Sequence, residues 1–305
     1  MDSVKASADI AQPYPANGDR SWADRTWPTQ DRLDLHFRDY PGSSDRPPVI
    51  CLHGLTRNAR DFAVLADSIA EEWRVLVPEM RGRGQSDYAK DPASYNPLQY
   101  AADLKELLAQ EGIDRFVAIG TSLGGLMTML LALTEPERIA GALLNDVGPV
   151  LSPEGIAQIS EYVGQGRSFP TWMHAARALE AQHNGAHPDF TIDDWLAMAK
   201  RVMQLGAGGR IAFDYDMAIG DAFVAGNAEQ SDAPDMWPAF EALAGRPLAL
   251  VRGELSQLLS TETAAEMKRR VPELDVVVIP RTGHAPLLTE PQAQAAVESL
   301  LAKIA

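Results

Sequence analysis

The pentapeptide Gly120-Thr121-Ser122-Leu123-Gly124 constrains this chain more than any other stretch. It has the form G-x-S-x-G, and its flanks give the pattern meaning. Phe116-Val117-Ala118-Ile119 before it is a short apolar run, partly β-branched, that reads as a buried strand. Leu126 to Leu133 after it is rich in Leu, Met and Ala, which are good helix formers. A strand feeding directly into a helix forces a sharp turn with a strained residue at its apex. Small residues on either side of Ser122 let neighbouring chain approach. The spacing therefore predicts a serine hydroxyl at the top of a sheet, beside a helix N-terminus that favours negative charge.

Strand-like and helix-like segments alternate around this turn. Leu33 to Phe37, Val49 to Leu52, Arg74 to Val77, Ala142 to Asn145, Leu248 to Val251 and Val276 to Ile279 read as further strands. Helices are predicted over Asn58 to Glu72 and Glu262 to Arg270, after the Asn96-Pro97 cap to about Gln110, and after Pro291. Such alternation indicates a mostly parallel sheet with helices on both faces, an α/β fold. Residues 1–30 read as an irregular arm without an apolar signal-peptide core, so no export is expected. Between about Val150 and Phe240 the alternation stops, with helical patterns, no convincing strand, and Trp172, Trp195 and Trp237. This stretch reads as a helical insertion between two strands, facing the active edge of the sheet. Trp172 and Trp195 are candidate substrate contacts; the alternative is that they only pack the insertion's own core.

Composition removes several classes of function. A formal net charge of −15 argues against nucleic acid as a partner, since phosphate binding needs basic patches. No apolar run approaches the roughly 20 residues of a membrane span. Cys51 is the one cysteine, so no intrachain disulfide forms, which suits a cytoplasmic location. Its apolar surroundings, Pro48 to Leu52, point to a structural thiol.

A serine hydroxyl needs a general base, most often histidine. His284, in Thr282-Gly283-His284-Ala285-Pro286 between the last strand and the last helix, falls on the sheet edge that carries Ser122. His36 lies within a strand, and His174, His183 and His187 belong to the insertion. The oxyanion of an acyl-transfer reaction needs two preset N–H donors. The backbone N–H groups of Leu123 and of Leu55, in Leu52-His53-Gly54-Leu55, are the candidates, with His53 as a positional residue.

Taken together, His53-Gly54, Arg81-Gly82-Arg83-Gly84-Gln85-Ser86, Gly120 to Gly125 and Gly283-His284 resemble the α/β-hydrolase superfamily, in its order. The resemblance implies an eight-stranded, mostly parallel sheet over residues 31–149 and 241–305, with a helical cap over 150–240. It assigns Arg81 to Ser86 to a structural turn. The third triad member departs from the family pattern. Ser256 stands where an aspartate is usually counted after Gly253, and Gln257 where relatives with this spacing would carry it. Glutamine can orient an imidazole but cannot stabilise imidazolium. Asp146, closing the strand that follows the nucleophile helix, is the preferred substitute. Glu254, or no functional acid at all, are the other readings.

The leading expectation is a serine hydrolase of an ester, thioester or lactone of a small, partly apolar acid. Carbon–carbon bond hydrolysis, acyl transfer and a noncatalytic ligand receptor are the alternatives. No cofactor is implied, because no dinucleotide or phosphate loop is present. His183 and His187 have a metal-compatible spacing, but Gly185 and Pro188 disfavour the helix it needs, so no metal is expected. The expected partner is a small-molecule substrate, with homodimerisation left open.

Overall fold

The apolar runs become strands whose side chains alternate between two cores. The computed structural model describes residues 21–228 and 234–304. In chain order the strands begin β1 (Ala23–Pro28), β2 (Asp34–Tyr40), β3 (Val49–Leu52), β4 (Val75–Pro78), β5 (Phe116–Thr121) and β6 (Ile139–Asn145). Three short strands follow, β7 (Ser168–Phe169), β8 (Met203–Leu205) and β9 (Ile211–Phe213), and then β10 (Leu248–Gly253) and β11 (Asp275–Ile279). Eight of these form one sheet in the order β1-β2-β4-β3-β5-β6-β10-β11. From β4 to β11 neighbours pair in parallel, and β2 pairs antiparallel with both β1 and β4. This is an α/β hydrolase fold.

The central strands are covered on both faces, which is why they read as unbroken apolar runs. Ile50, Leu52, Ala118 and Leu144 point into one core, closed by α2 (Pro97–Gln110), α3 (Leu123–Thr134), α8 (Trp237–Glu241) and α9 (Thr261–Arg270). Val49, Cys51, Val117, Ile119 and Leu143 point into the other, closed by α1 (Ala63–Ile69) and α10 (Pro291–Leu301). Each fully buried Val, Leu or Ile contributes on the order of 2 kcal/mol. Cys51 is inside this second core, and burial pushes its thiol pKa up. The α2 helix begins as its sequence dictates: Pro97 occupies the first turn and the Asn96 side chain accepts from Gln99 N at 2.9 Å.

Three expectations need correction. Residues 23–28, expected within an irregular arm, form the edge strand β1; residues 1–20 lie outside the described residues. The strand is largely polar and exposed, so no apolar alternation betrays it. It is held by pairing with β2, by buried Trp27, whose indole donates to Asp103 O at 3.0 Å, and by Arg25 on Asp39 and Glu111. The helix expected from Asn58 to Glu72 starts as a 3₁₀ turn (Ala59–Phe62) and is α-helical only over α1. The insertion, expected to lack strands, holds a small antiparallel sheet β7-β9-β8 beside α4 (Pro153–Ser160), α5 (Trp172–His183), α6 (Ile192–Val202) and α7 (Ala218–Ala228). Strands of two and three residues are too short to show a period. No helix among the described residues is long and apolar enough to cross a membrane.

Candidate active site

Ser122 sits between β5 and α3 with φ +52° and ψ −114°. The glycines around it are required by space. A Cβ at Gly120 would lie 2.5 Å from Gly124 C, and one at Gly124 would lie 2.1 Å from the Leu52 carbonyl oxygen. The strained turn is tied down by Ser122 N donating to Asn145 O at 3.0 Å.

His284 lies on the loop between β11 and α10. Its Nε2 is 3.0 Å from Ser122 Oγ, and its Nδ1 is 2.8 Å from Asp146 Oδ2. A carboxylate can only accept, so Nδ1 carries the proton and Nε2 is free to accept the serine proton. The loop is anchored to β6 by Asn145 Nδ2, which donates to Pro286 O at 2.8 Å and to Thr121 Oγ1 at 3.0 Å.

Asp146 follows β6 with φ +56°, a conformation aspartate tolerates better than most residues, and is fully buried. Its Oδ1 accepts from Gly253 N at 2.9 Å. Its Oδ2 accepts from Ser256 Oγ at 2.7 Å as well as from His284. A buried carboxylate needs such partners.

The opposite side of the serine is built by the loop after β3. Met80 N donates to His53 Nε2 at 3.0 Å, so the His53 Nδ1–H donates to Gly54 O at 2.8 Å. Burial, then the nearby Arg83 charge, lowers the His53 pKa to about 4 and keeps the ring neutral. Arg83 is buried, lies over the Tyr100 ring at 4.7 Å and donates from Nε to Leu55 O at 2.9 Å. Arg81 makes paired bonds to Asp103 at 2.7 and 2.8 Å. The Arg81–Ser86 turn thus braces the Gly54–Leu55 segment. Leu123 is the first residue of α3, where the N–H has no intrahelical partner.

Ser122, His284 and Leu55 open onto a cavity whose far wall comes from the insertion: Tyr162, Leu179, His183, His187, Trp195 and Met198. Arg57 and Asp61 complete it. His183 and His187 have pKa values lowered to about 4, by burial and then by the Arg57 charge. Among the described residues no cluster of three or more His, Cys, Asp or Glu side chains is placed to hold a metal ion.

A profile of the α/β hydrolase fold matches residues 47–291. The chain belongs to the α/β hydrolase family. A solved α/β hydrolase from Novosphingobium aromaticivorans is 58% identical, with a TM-score of 0.88, covering 94% of this chain and 100% of that one. The 3-hydroxybutyrate-oligomer hydrolase of Cupriavidus necator is 33% identical over 270 residues, 84% of this chain and 89% of the relative. The 2-(acetamidomethylene)succinate hydrolase of Mesorhizobium japonicum is 26% identical over 253 residues, 83% and 86% respectively.

Within this α/β hydrolase the candidate acids part company. Asp146 is the carboxylate against His284. Ser256, at the place where aspartate is usually counted, donates to that carboxylate. Gln257 is exposed, and its backbone carbonyl accepts from Ser152. Glu254 turns away to accept from Arg281 N at 2.7 Å. Of the two candidate tryptophans, Trp195 is buried in the cavity wall, with ring contacts to Phe190 at 4.9 Å and His187 at 6.1 Å. Trp172 is not among the cavity-lining residues; it packs at the start of α5 against the insertion's own core. Arg57, Tyr162, His183 and His187 escaped the sequence reading as a cavity wall. Only the spacing of the two histidines and the placing of Arg57 just after His53-Gly54 hinted at them.

Proposed function

We propose that the protein is a serine hydrolase that cleaves an ester of a small hydroxy acid through an acyl-enzyme on Ser122. One observation carries the reading: the continuous hydrogen-bonded chain Ser122–His284–Asp146 at the mouth of a cavity. In this mechanism Ser122 Oγ attacks the ester carbonyl while His284 Nε2 takes its proton. Asp146 holds the imidazole tautomer and stabilises the imidazolium. The N–H groups of Leu55 and Leu123 receive the negative charge developing on the carbonyl oxygen. His284 then protonates the departing alcohol, and water, activated by the same ring, releases the acid.

The insertion between β6 and β10 acts as a cap that sets substrate choice, its side chains supplying most of the cavity's far wall. The hydroxy-acid assignment is supported by the 33% identical relative named for 3-hydroxybutyrate oligomers, aligned over most of both chains. A cytoplasmic location is the natural setting for a chain whose one cysteine is a buried free thiol. Incubation with a fluorophosphonate, followed by mapping of the adduct, and turnover of the 3-hydroxybutyrate dimer form the test. Rapid modification of Ser122 and release of monomer are expected. A protein that neither labels at Ser122 nor cleaves any short-chain ester would refute the assignment.

A further inference from the structure

Arg57 is the one cavity-lining side chain, among the described residues, with a permanent positive charge. Its setting differs from that of the other arginines near the site. Arg81 and Arg83 are fully buried, with carboxylate or carbonyl partners on more than one nitrogen. Arg57 has only its Nη1 engaged, by Asp61 Oδ1 at 3.3 Å and by the weak acceptor Met198 Sδ at 3.1 Å. A guanidinium has five N–H donors in a planar fork, so an edge of the group is left for a ligand. Its stem passes close to the nucleophile. A Cβ placed on Gly54 would lie 3.4 Å from Arg57 Cγ and 3.8 Å from Ser122 Cβ.

We propose that Arg57 is the specificity-determining residue for a free carboxylate on the substrate, so that the ester cleaved is the one next to the acid end of a hydroxy-acid chain. The inference rests on the ester-hydrolase reading and adds to it the charge of the substrate. In a 3-hydroxybutyrate dimer only an oxygen and two carbons separate the ester carbonyl carbon from the carboxylate carbon. Arg57 and Ser122 line the same cavity with the Arg57 stem beside the nucleophile, an arrangement that suits a chain of that length. The protein's net charge of −15 repels anions at long range, so recognition of one needs a local cation. Asp61 and Met198 engage Nη1 alone, which leaves Nε and Nη2 as donors for a ligand in the cavity that Arg57 lines. His183 and His187 on the facing wall, kept neutral by burial, offer hydrogen bonds but no charge.

The test compares kcat/KM for the 3-hydroxybutyrate dimer with that for its methyl ester, in wild type, Arg57→Gln and Arg57→Lys. Arg57→Gln should lower the acid-to-methyl-ester ratio on the order of 30-fold, chiefly through KM, the size expected for loss of a charge-assisted pair. Arg57→Lys should recover part of that ratio, because the charge returns without the fork. The rate of fluorophosphonate labelling at Ser122 reports the integrity of the site in each variant. A ratio in Arg57→Gln within about threefold of wild type would overturn the proposal. Should the wild type cleave neither ester, the hydrolase reading fails separately. Calorimetric binding of 3-hydroxybutyrate then decides for Arg57: at least tenfold weaker binding to Arg57→Gln upholds its role, and equal affinity removes it.

Discussion

The two walls of the cavity are held by different means. On the sheet edge, Ser122, His284 and Asp146 stand on turns whose backbone has nowhere else to go. The close approaches at Gly120 and Gly124, the bond from Gly253 N to Asp146, and the tie from Asn145 to Pro286 each fix the chain itself. On the insertion, Leu179, Trp195 and Met198 stand on helices that pack through side chains into a core of their own, and Tyr162 stands on the turn after α4. The insertion is joined to the sheet side through loops and side chains: Gly283 N on Ala186 O at 2.6 Å, Arg281 on Asp189, Asn58 and Arg60 on Arg201 O and Asp214, and residues 214–216 on Gly84 N, Gly82 O and the Tyr95 hydroxyl. Chemistry placed on constrained backbone tolerates almost no substitution, whereas a wall made of packed side chains can be reshaped one residue at a time. The sheet edge should therefore lose rate when altered, and the insertion should change preference.

The largest effect is expected at Ser122. Ser122→Ala and His284→Ala should each lower kcat on the order of 10⁴- to 10⁶-fold with folding intact, and the double variant should cost little more than either. Circular dichroism and single-turnover kinetics check both halves. Retention of a tenth of wild-type activity would break the assignment of the chemistry to this wall.

Asp146→Asn keeps the shape of the acid but removes its charge, and should lower kcat on the order of 10⁴-fold. Gln257→Asp should change kcat little, because residue 257 is exposed and its neighbour Ser256 already serves Asp146. If Gln257→Asp instead raised kcat by orders of magnitude while Asp146→Asn was nearly silent, the acid would have to be sought at the later position.

On the insertion, Trp195→Ala should shift the preferred acyl length and destabilise the protein by about 3–5 kcal/mol, the range for emptying a buried aromatic site. Trp172→Ala, away from the cavity, should leave acyl preference as it is. Activity profiles over acyl chain length, with urea melts, measure both. An unchanged profile in Trp195→Ala would make that wall a packing surface only.

The same contrast explains how much could be read from the sequence. Ser122, His284 and the loop at Gly54 were legible because steric limits leave a signature, glycine at fixed spacing beside a strand end. Asp146 was legible for a weaker reason: it is the carboxylate at a strand's C-terminal end when residues 256 and 257 carry none. Arg57 was not legible, since its contact with Met198 lies 141 residues away and depends on how the insertion docks. The β1 strand left no period to read because its one buried side chain is Trp27.

The smallest effect concerns the support beneath the sheet-edge wall. Glu79 is buried and accepts from Ala59 N at 2.9 Å and Gln85 N at 2.7 Å, joining the 3₁₀ turn to the Arg81–Ser86 turn. His36 faces it at 2.9 Å through Nδ1 and faces Asp24 at 2.9 Å through Nε2. Burial opposes a charge on this ring, but the two carboxylates outweigh it and raise its pKa to about 9. For Glu79, burial again opposes the charge, and the His36 cation with the two backbone donors holds its pKa far below the ordinary value. A histidine raised in the folded state stabilises fully below its ordinary pKa of about 6.5, and that contribution is lost as pH rises through about 9. The depressed carboxylate works in the opposite sense: its contribution is present above its ordinary pKa of about 4.5 and fades as pH falls below that. Stability from this pair should therefore be greatest between about pH 4.5 and 6.5, and Tm should decline from there to about pH 9. His36→Gln should flatten the alkaline slope, since glutamine keeps polar contacts but has no proton to lose. A wild-type Tm that is level from pH 6.5 to 9, or the same slope in His36→Gln, would show that the sheet-edge wall stands on its backbone alone.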